Sequence, residues 1–353
     1  MNARLVNLYA KLDQVNLEGL LVSSDNNISY LTKYPSRDSY LLATKKKNLY
    51  FTDSRYLQAA QKQLRGIAGI EKIKDSVYQS IAHACRRLGL ERIGFEEGII
   101  SWADFNRLRV RLGRDVKLIP SRGLIEDLRL TKDSAELDKI RTATKITIKA
   151  LEFIKKHLKP GIKELEVAAE LERFIRYEGG HGSAFNIIVA SGPNSSFPHH
   201  ITSHAKIKDN QPLLIDIGTD YFGYKSDLTR VFFLGKINPL ARRVYDIVRK
   251  ASTQAIKKIK PGISIKEVDA TSRRIIAKSG YAKYFGHALG HGIGLDTHEA
   301  PSISSRQAGV FKPGMVFTIE PAVYLPGRFG IRIEDMVLVT RKGCEVISGS
   351  LNK

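Results

Sequence analysis

The chain has 353 residues, 42% of them hydrophobic and 26% charged, which supports two domain cores and argues against a disordered polymer. No apolar run reaches the roughly 18 residues of a membrane-spanning helix, and two cysteines, Cys85 and Cys344, can build neither a disulfide framework nor a thiolate zinc site. The formal net charge of +21 divides into +8 over residues 1–130 and +13 over the rest, with no basic tail or stripe, so a specific nucleic-acid partner is not expected.

The N-terminal stretch is interrupted by Asp13 and Glu18, so it has neither an apolar signal core nor an acid-free transit composition; a cytoplasmic location is the default expectation. Leu20-Leu21-Val22 reads as a strand running into a Ser/Asp/Asn turn cluster. Leu41-Leu42-Ala43 and Leu49-Tyr50-Phe51 read as paired strands joined by Lys45-Lys46-Lys47, and Ser80 to Leu90 reads as a helix. This is an α/β pattern with short connections and without a Gly-x-Gly-x-x-Gly fingerprint.

A boundary falls near Ile125 to Lys132, and Asp133-Ser134-Ala135-Glu136 has the form of a capping box. Apolar residues then recur at helical spacing through Ile140, Ala143, Ile146, Ala150, Leu151 and Ile154 until the breaker Lys159-Pro160-Gly161. A second long helix, from about Pro239 to Ile259, ends in Lys260-Pro261-Gly262. Residues 159–167 and 260–268 agree at six of nine positions at an offset of 101. Either a common breaker recurs by chance, or one domain is built of two duplicated halves with its site between them.

The strand Pro212 to Gly218 places Asp216 in an apolar run, where a carboxylate must be paired, protonated or metal-bound. Asp227 follows after a turn at Gly223, so a hairpin would bring the two together; pairing of Asp227 with Arg230 is the plainer alternative. The segment from Gly286 to His298 holds three histidines and four glycines in thirteen residues, which suits a backbone bent closely around an ion or ligand. Glu320 and Glu334 lie at the ends of, or inside, further apolar strand-like runs.

These segments together resemble the creatinase/methionine-aminopeptidase, or pita-bread, metallopeptidase superfamily, in its proline-peptidase branch of aminopeptidase P and prolidase. The resemblance spans the chain, beginning with Tyr50-Phe51-Thr52-Asp53-Ser54-Arg55-Tyr56. It implies a creatinase-like α/β N-terminal domain over residues 1–125. It implies an α+β pita-bread catalytic domain with internal pseudo-two-fold symmetry over residues 126–353. It further implies two divalent cations, with Asp216 on one, His291 and Glu320 on the other, and Asp227 and Glu334 bridging. Four carboxylates and one imidazole suit Mn²⁺, with Co²⁺ or Zn²⁺ as alternatives.

By the same resemblance His199, His298 and Glu320 are catalytic, while His287, Tyr324 and Arg332 bind substrate or support the site. Arg332 is expected to orient a carboxylate by a bidentate contact, sharing a strand face with Glu334. His200 and His204 carry no motif and read as surface or loop histidines. The implied activity is that of a metallo-exopeptidase, an Xaa-Pro aminopeptidase or alternatively an Xaa-Pro dipeptidase. Its partners would be small peptides with proline second and another copy of the chain in a homodimer, with no membrane. The non-enzyme alternative is a catalytically silent pita-bread module that binds protein or nucleic acid.

Overall fold

Residues 2–351 are described by the structure, a computed structural model, in which the chain divides into two units, Met1–Arg129 and Leu130–Lys353. The division lies slightly beyond the expected 125/126. The reason is a short helix at Glu126–Arg129, tied to the first unit by Arg129 Nη1 donating to Asn27 Oδ1 at 2.7 Å and Tyr30 OH donating to Leu128 O at 3.0 Å.

The first unit has helices α1 (Ala3–Gln14), α2 (Asp25–Thr32), α3 (Leu57–Gln63), α4 (Val77–Arg87), α5 (Trp102–Leu112) and α6 (Glu126–Arg129). Its strands are β1 (Gly19–Val22), β2 (Tyr40–Thr44), β3 (Leu49–Thr52), β4 (Gly69–Lys72), β5 (Arg92–Glu96) and β6 (Lys117–Ser121), in one sheet of order β4-β3-β2-β1-β5-β6. The pair joined by three lysines is antiparallel as expected, with Leu41 opposite Tyr50. The expected turn cluster after β1 is instead a helix start: Ser24 Oγ accepts from Asn27 N at 3.3 Å and caps α2. Ser, Asp and Asn suit turns and N-caps for the same reason, a short side-chain oxygen competing for backbone N–H groups.

The second unit opens with α7 (Ser134–Lys155), whose Asp133–Glu136 capping box is present, and α8 (Glu164–Tyr177). Then come β7 (Gly182–Ser183), β8 (Ile188–Ser191), β9 (Pro212–Ile217), β10 (Thr219–Tyr221), β11 (Tyr224–Lys225) and β12 (Leu228–Phe233). The second half repeats the plan with α9 (Pro239–Lys258) and α10 (Ile265–Lys278). It continues with β13 (Gly290–Gly292), β14 (Glu299–Ile303), β15 (Val316–Ile319), β16 (Ala322–Leu325), β17 (Phe329–Arg332), β18 (Asp335–Val339) and β19 (Cys344–Val346).

The duplication is structural. Helices α8 and α10 start and stop at the same 101-residue offset seen in the sequence. Ahead of α8, Gly161 N donates to Ile207 O and Ile207 N to Ile162 O; ahead of α10, Gly262 N donates to Phe311 O and Phe311 N to Ile263 O. Each long helix turns an apolar stripe inward. On α9 that stripe is Val244, Val248, Ala251 and Ala255, all fully buried and spaced at helical period in a core shared with Phe317, Val323 and Ile331. Each of the two buried valines contributes about 1.5–3 kcal/mol relative to exposure, and each alanine methyl about 0.8 kcal/mol.

Candidate metal centre

Strand ends deliver the acidic side chains. Strands β9 and β12 pair antiparallel with Asp216 opposite Thr229, so the expected hairpin forms and Asp227 sits one residue before β12. Its tip is a two-residue turn, Phe222 at φ 49° and Gly223 at φ 83°, the left-handed pair that suits the right-handed strand twist. Arg230 pairs with Asp335 at 2.8 Å rather than with Asp227. The histidine-rich segment is a strand at its centre, not a continuous turn: His291 lies on β13, hydrogen-bonded between β14 and β15. Gly290 has to be glycine there, because a Cβ would fall inside the van der Waals envelope of the Thr318 carbonyl. Glu320 follows β15 immediately, and Glu334 bridges β17 and β18, its N–H donating to Thr229 O at 3.2 Å. Of the four carboxylates only Asp216 lies within a strand.

The acceptor atoms converge. Asp227, His291 and Glu334 each offer a ligand atom within 4.8 Å of the others. His291 Nε2 lies 3.7 Å from Asp227 Oδ2 and 3.5 Å from Glu320 Oε1. Asp216 lies outside that group of three; its Oδ2 accepts from Arg332 Nη2 at 2.6 Å, and it lines the same cleft. The His291 Nδ1 donates to Gly292 O at 3.2 Å, which leaves the Nε2 lone pair aimed at the carboxylates. Burial, reinforced by His298, pulls its pKa down to about 4, so the ring is neutral and gives those carboxylates no proton to share.

The carboxylates are pushed the other way. Burial first, and then Glu334, Asp216 and Glu320, raise Asp227 well above the usual range. Burial, then Glu320 and Asp216, do the same to Glu334, and burial lifts Glu320 to about 7. Asp216 Oδ1 and Asp227 Oδ1 are buried without a hydrogen-bond partner among the described residues. Orphaned carboxylate oxygens beside other carboxylates and a neutral imidazole lone pair are costly unless a cation lies among them. The donor set therefore fits divalent metal, and its oxygen-rich composition fits a hard or borderline ion.

Around this cage lies a cleft of about 930 Å³ that His199, His287, His298, Tyr324 and Arg332 also line. The His298 ring packs edge-on to His291 at 4.2 Å between centroids, and burial followed by the charge of His199 lowers its pKa. His287 Nε2 lies 3.2 Å from Tyr324 OH, and its Nδ1 3.9 Å from Glu320 Oε2. Burial alone would lower Arg332, but Tyr324, Asp216, Glu320 and Glu334 hold it above its ordinary value.

Two sequence expectations are narrowed. Arg332 grips Asp216, not the nearby Glu334, and does so through one nitrogen, since its others serve Thr229, Tyr324 and Pro198. His200 is a loop histidine, one of the two expected alternatives, and not a surface one: its side chain is 12% exposed and its Nε2 meets Glu164 Oε2 at 2.9 Å. His204 is exposed as expected. The sequence reading passed over two threonines. Thr229 Oγ1 donates to Glu334 Oε2 at 2.7 Å, and Thr318 Oγ1 accepts from His291 N at 3.2 Å. Their signal was position, each two residues from a metal-type carboxylate.

Residues 138–341 match Metallopeptidase family M24, and residues 4–131 match the Creatinase/Prolidase N-terminal domain. A protein named Xaa-Pro dipeptidase from Pyrococcus horikoshii is 32% identical over 346 residues, 97% of this chain and 96% of that one. The solved structure of an Xaa-Pro dipeptidase from Bacillus anthracis is 35% identical, with a TM-score of 0.96 over 99% of this chain and 98% of that one. That of an X-Pro aminopeptidase from Thermotoga maritima is 33% identical, with a TM-score of 0.88 over 96% and 97%. No helix among the described residues is long and apolar enough to cross a membrane. With its ligand-type residues gathered in one cleft and both domains matched, the chain belongs to metallopeptidase family M24, an enzyme of the proline-peptidase branch of the pita-bread superfamily.

Proposed function

We propose that the protein hydrolyses Xaa-Pro bonds and acts on dipeptides in preference to longer peptides. One observation carries the hydrolase reading: Asp227, His291, Glu320 and Glu334 bring acceptor atoms together in an open cleft that Asp216 also lines, with orphaned oxygens on Asp216 and Asp227. Asp216, Asp227, His291, Glu320 and Glu334 would hold two divalent ions, Mn²⁺ by preference and Co²⁺ or Zn²⁺ as alternatives. Bound there, such ions supply a reactive water at neutral pH and polarise the scissile carbonyl.

The side chains supply the rest. Proline's nitrogen carries no hydrogen and its ring fixes φ, so recognition has to rest on the ring's shape and on the free amine rather than on a backbone donor. His287 and Tyr324 form a wall against which the proline ring packs. Glu320 carries a proton on a carboxylate oxygen, from the attacking water to the departing proline nitrogen. His298 donates from its ring to the developing oxyanion, and His199, which lines the same cleft, contacts the substrate. Arg332 holds Asp216 and Tyr324 in register.

The expectation leaned towards aminopeptidase action. The relatives named Xaa-Pro dipeptidase support the dipeptidase instead, at 32% identity in sequence and a TM-score of 0.96 in structure. The Thermotoga maritima aminopeptidase, at 33% identity, keeps aminopeptidase action as the second reading. Rates of the Mn²⁺-loaded enzyme on Ala-Pro and Ala-Pro-Ala separate them. Faster cleavage of Ala-Pro is expected; preference for Ala-Pro-Ala reverses the length assignment, and cleavage of neither overturns the activity.

A further inference from the structure

Glu164 opens α8, and its side chain is fully buried. At the matching place in the duplicated half, the first residue of α10, stands Ile265, also buried. A buried carboxylate where the duplicate is aliphatic has to be accounted for by what it binds.

It binds one segment. Glu164 Oε1 accepts from Ser191 N at 2.8 Å and Asn194 Nδ2 at 2.9 Å. Its Oε2 accepts from Ser203 Oγ at 2.8 Å, Ser203 N at 3.2 Å and His200 Nε2 at 2.9 Å. The backbone N–H groups of Ser191 and Ser203 only donate, so the carboxylate is ionised and His200 presents an Nε2–H to it. Burial alone would raise Glu164, but the bonds from Asn194, Ser191, His200 and Ser203 outweigh it and hold the carboxyl below its usual range. These donors lie at both ends of residues 191–203, the stretch that leaves β8 and carries His199 to the cleft. Within it, Arg332 Nη1 donates to Pro198 O at 3.2 Å. The peptide on one side of His199 is thus held by Arg332 and the residue on the other by Glu164.

We propose that Glu164 and His200 are positioning residues for His199: the buried carboxylate closes the loop at its base and, through His200, fixes the backbone from which His199 enters the cleft. The inference rests on the substrate role given to His199 above. Neither Glu164 nor His200 touches the reacting atoms.

The test is a double-mutant cycle on Ala-Pro cleavage by the Mn²⁺-loaded full chain. His200→Ala removes one donor and leaves Glu164 its other four, so the protein stays folded; unchanged melting temperature and metal content check this. We expect kcat/KM to fall about tenfold, with His200→Gln, which keeps an amide donor, recovering most of it. In a His199→Ala background, His200→Ala should cost almost nothing further. Glu164→Gln should behave like His200→Ala with a larger loss. Full additivity of the two histidine losses, or no loss in His200→Ala, overturns the positioning role while leaving the substrate role of His199 standing. No loss in His199→Ala overturns the substrate role itself, and the clamp with it.

Discussion

Arg332 uses all three guanidinium nitrogens: Nε donates to Thr229 Oγ1 at 3.0 Å, Nη1 to Tyr324 OH at 2.6 Å and to Pro198 O, and Nη2 to Asp216 Oδ2 at 2.6 Å. No ammonium group reaches four oxygens spread in a plane, so Arg332→Lys keeps the charge and loses the geometry. We expect that variant to lose about 10–100-fold in kcat/KM or metal affinity, measured by Ala-Pro kinetics alongside metal analysis; wild-type values for both would refute the reading. That Arg332 lies beside the acidic side chains was legible in the sequence, but its partner was not. Strand alternation placed it beside Glu334, whereas β17 ends at Arg332 and the chain leaves the sheet before Glu334, so the same-face argument fails. The burial of His200 was not legible for a related reason. Sequence gives no sign that a carboxylate 36 residues earlier is buried against it.

At the level of elements, the repeated Lys-Pro-Gly breaker told most about the fold, because a helix stop followed by a helix start is a local event encoded within a few residues. The long-range pairings were legible only where a turn made them local. The hairpin carrying Asp216 and Asp227 was, through Gly223; the approach of β13 to β15 was not. That approach makes Gly290 a stringent position. Gly290→Ala puts a methyl group against the Thr318 carbonyl and forces apart the strands that carry His291 and Glu320. Overpacking of this kind costs about 1–3 kcal/mol. We expect a lower melting temperature together with weaker metal retention on dialysis. Gly286→Ala, in the same segment but with nothing within 4 Å of the added carbon, should leave the melting temperature unchanged. Equal effects of the two substitutions would contradict the packing argument.

Across the whole molecule, charge was the property that sequence averages read least well. The excess looked evenly spread, yet the duplicated helix pairs differ: α7 and α8 carry seven basic and seven acidic side chains, α9 and α10 ten and three. Against that basic background the cage concentrates negative charge, and this couples metal to global stability. Glu320, with its pKa raised from 4.5 to about 7, holds a proton longer in the folded chain than in the unfolded one. Its contribution is therefore complete below 4.5 and lost as pH rises through 7. Asp227 and Glu334 shift in the same direction. The histidines have the opposite sign: His287 and His291, lowered from 6.5 to about 4, support the fold above 6.5 and lose that support as pH falls. The two trends oppose each other from 4.5 until the histidines of the unfolded chain have lost their protons, about one pH unit above 6.5. Between pH 6.5 and 8 the metal-free protein should lose about 1 kcal/mol from Glu320, which His287 and His291 offset, so the net fall comes from Asp227 and Glu334, shifted in the same direction as Glu320. Chelator-treated protein is expected to melt lower at pH 8 than at pH 6.5, and Mn²⁺-reloaded protein to show little change. The same melting temperature at both pH values without metal would mean that the four carboxylates do not share one desolvated cage.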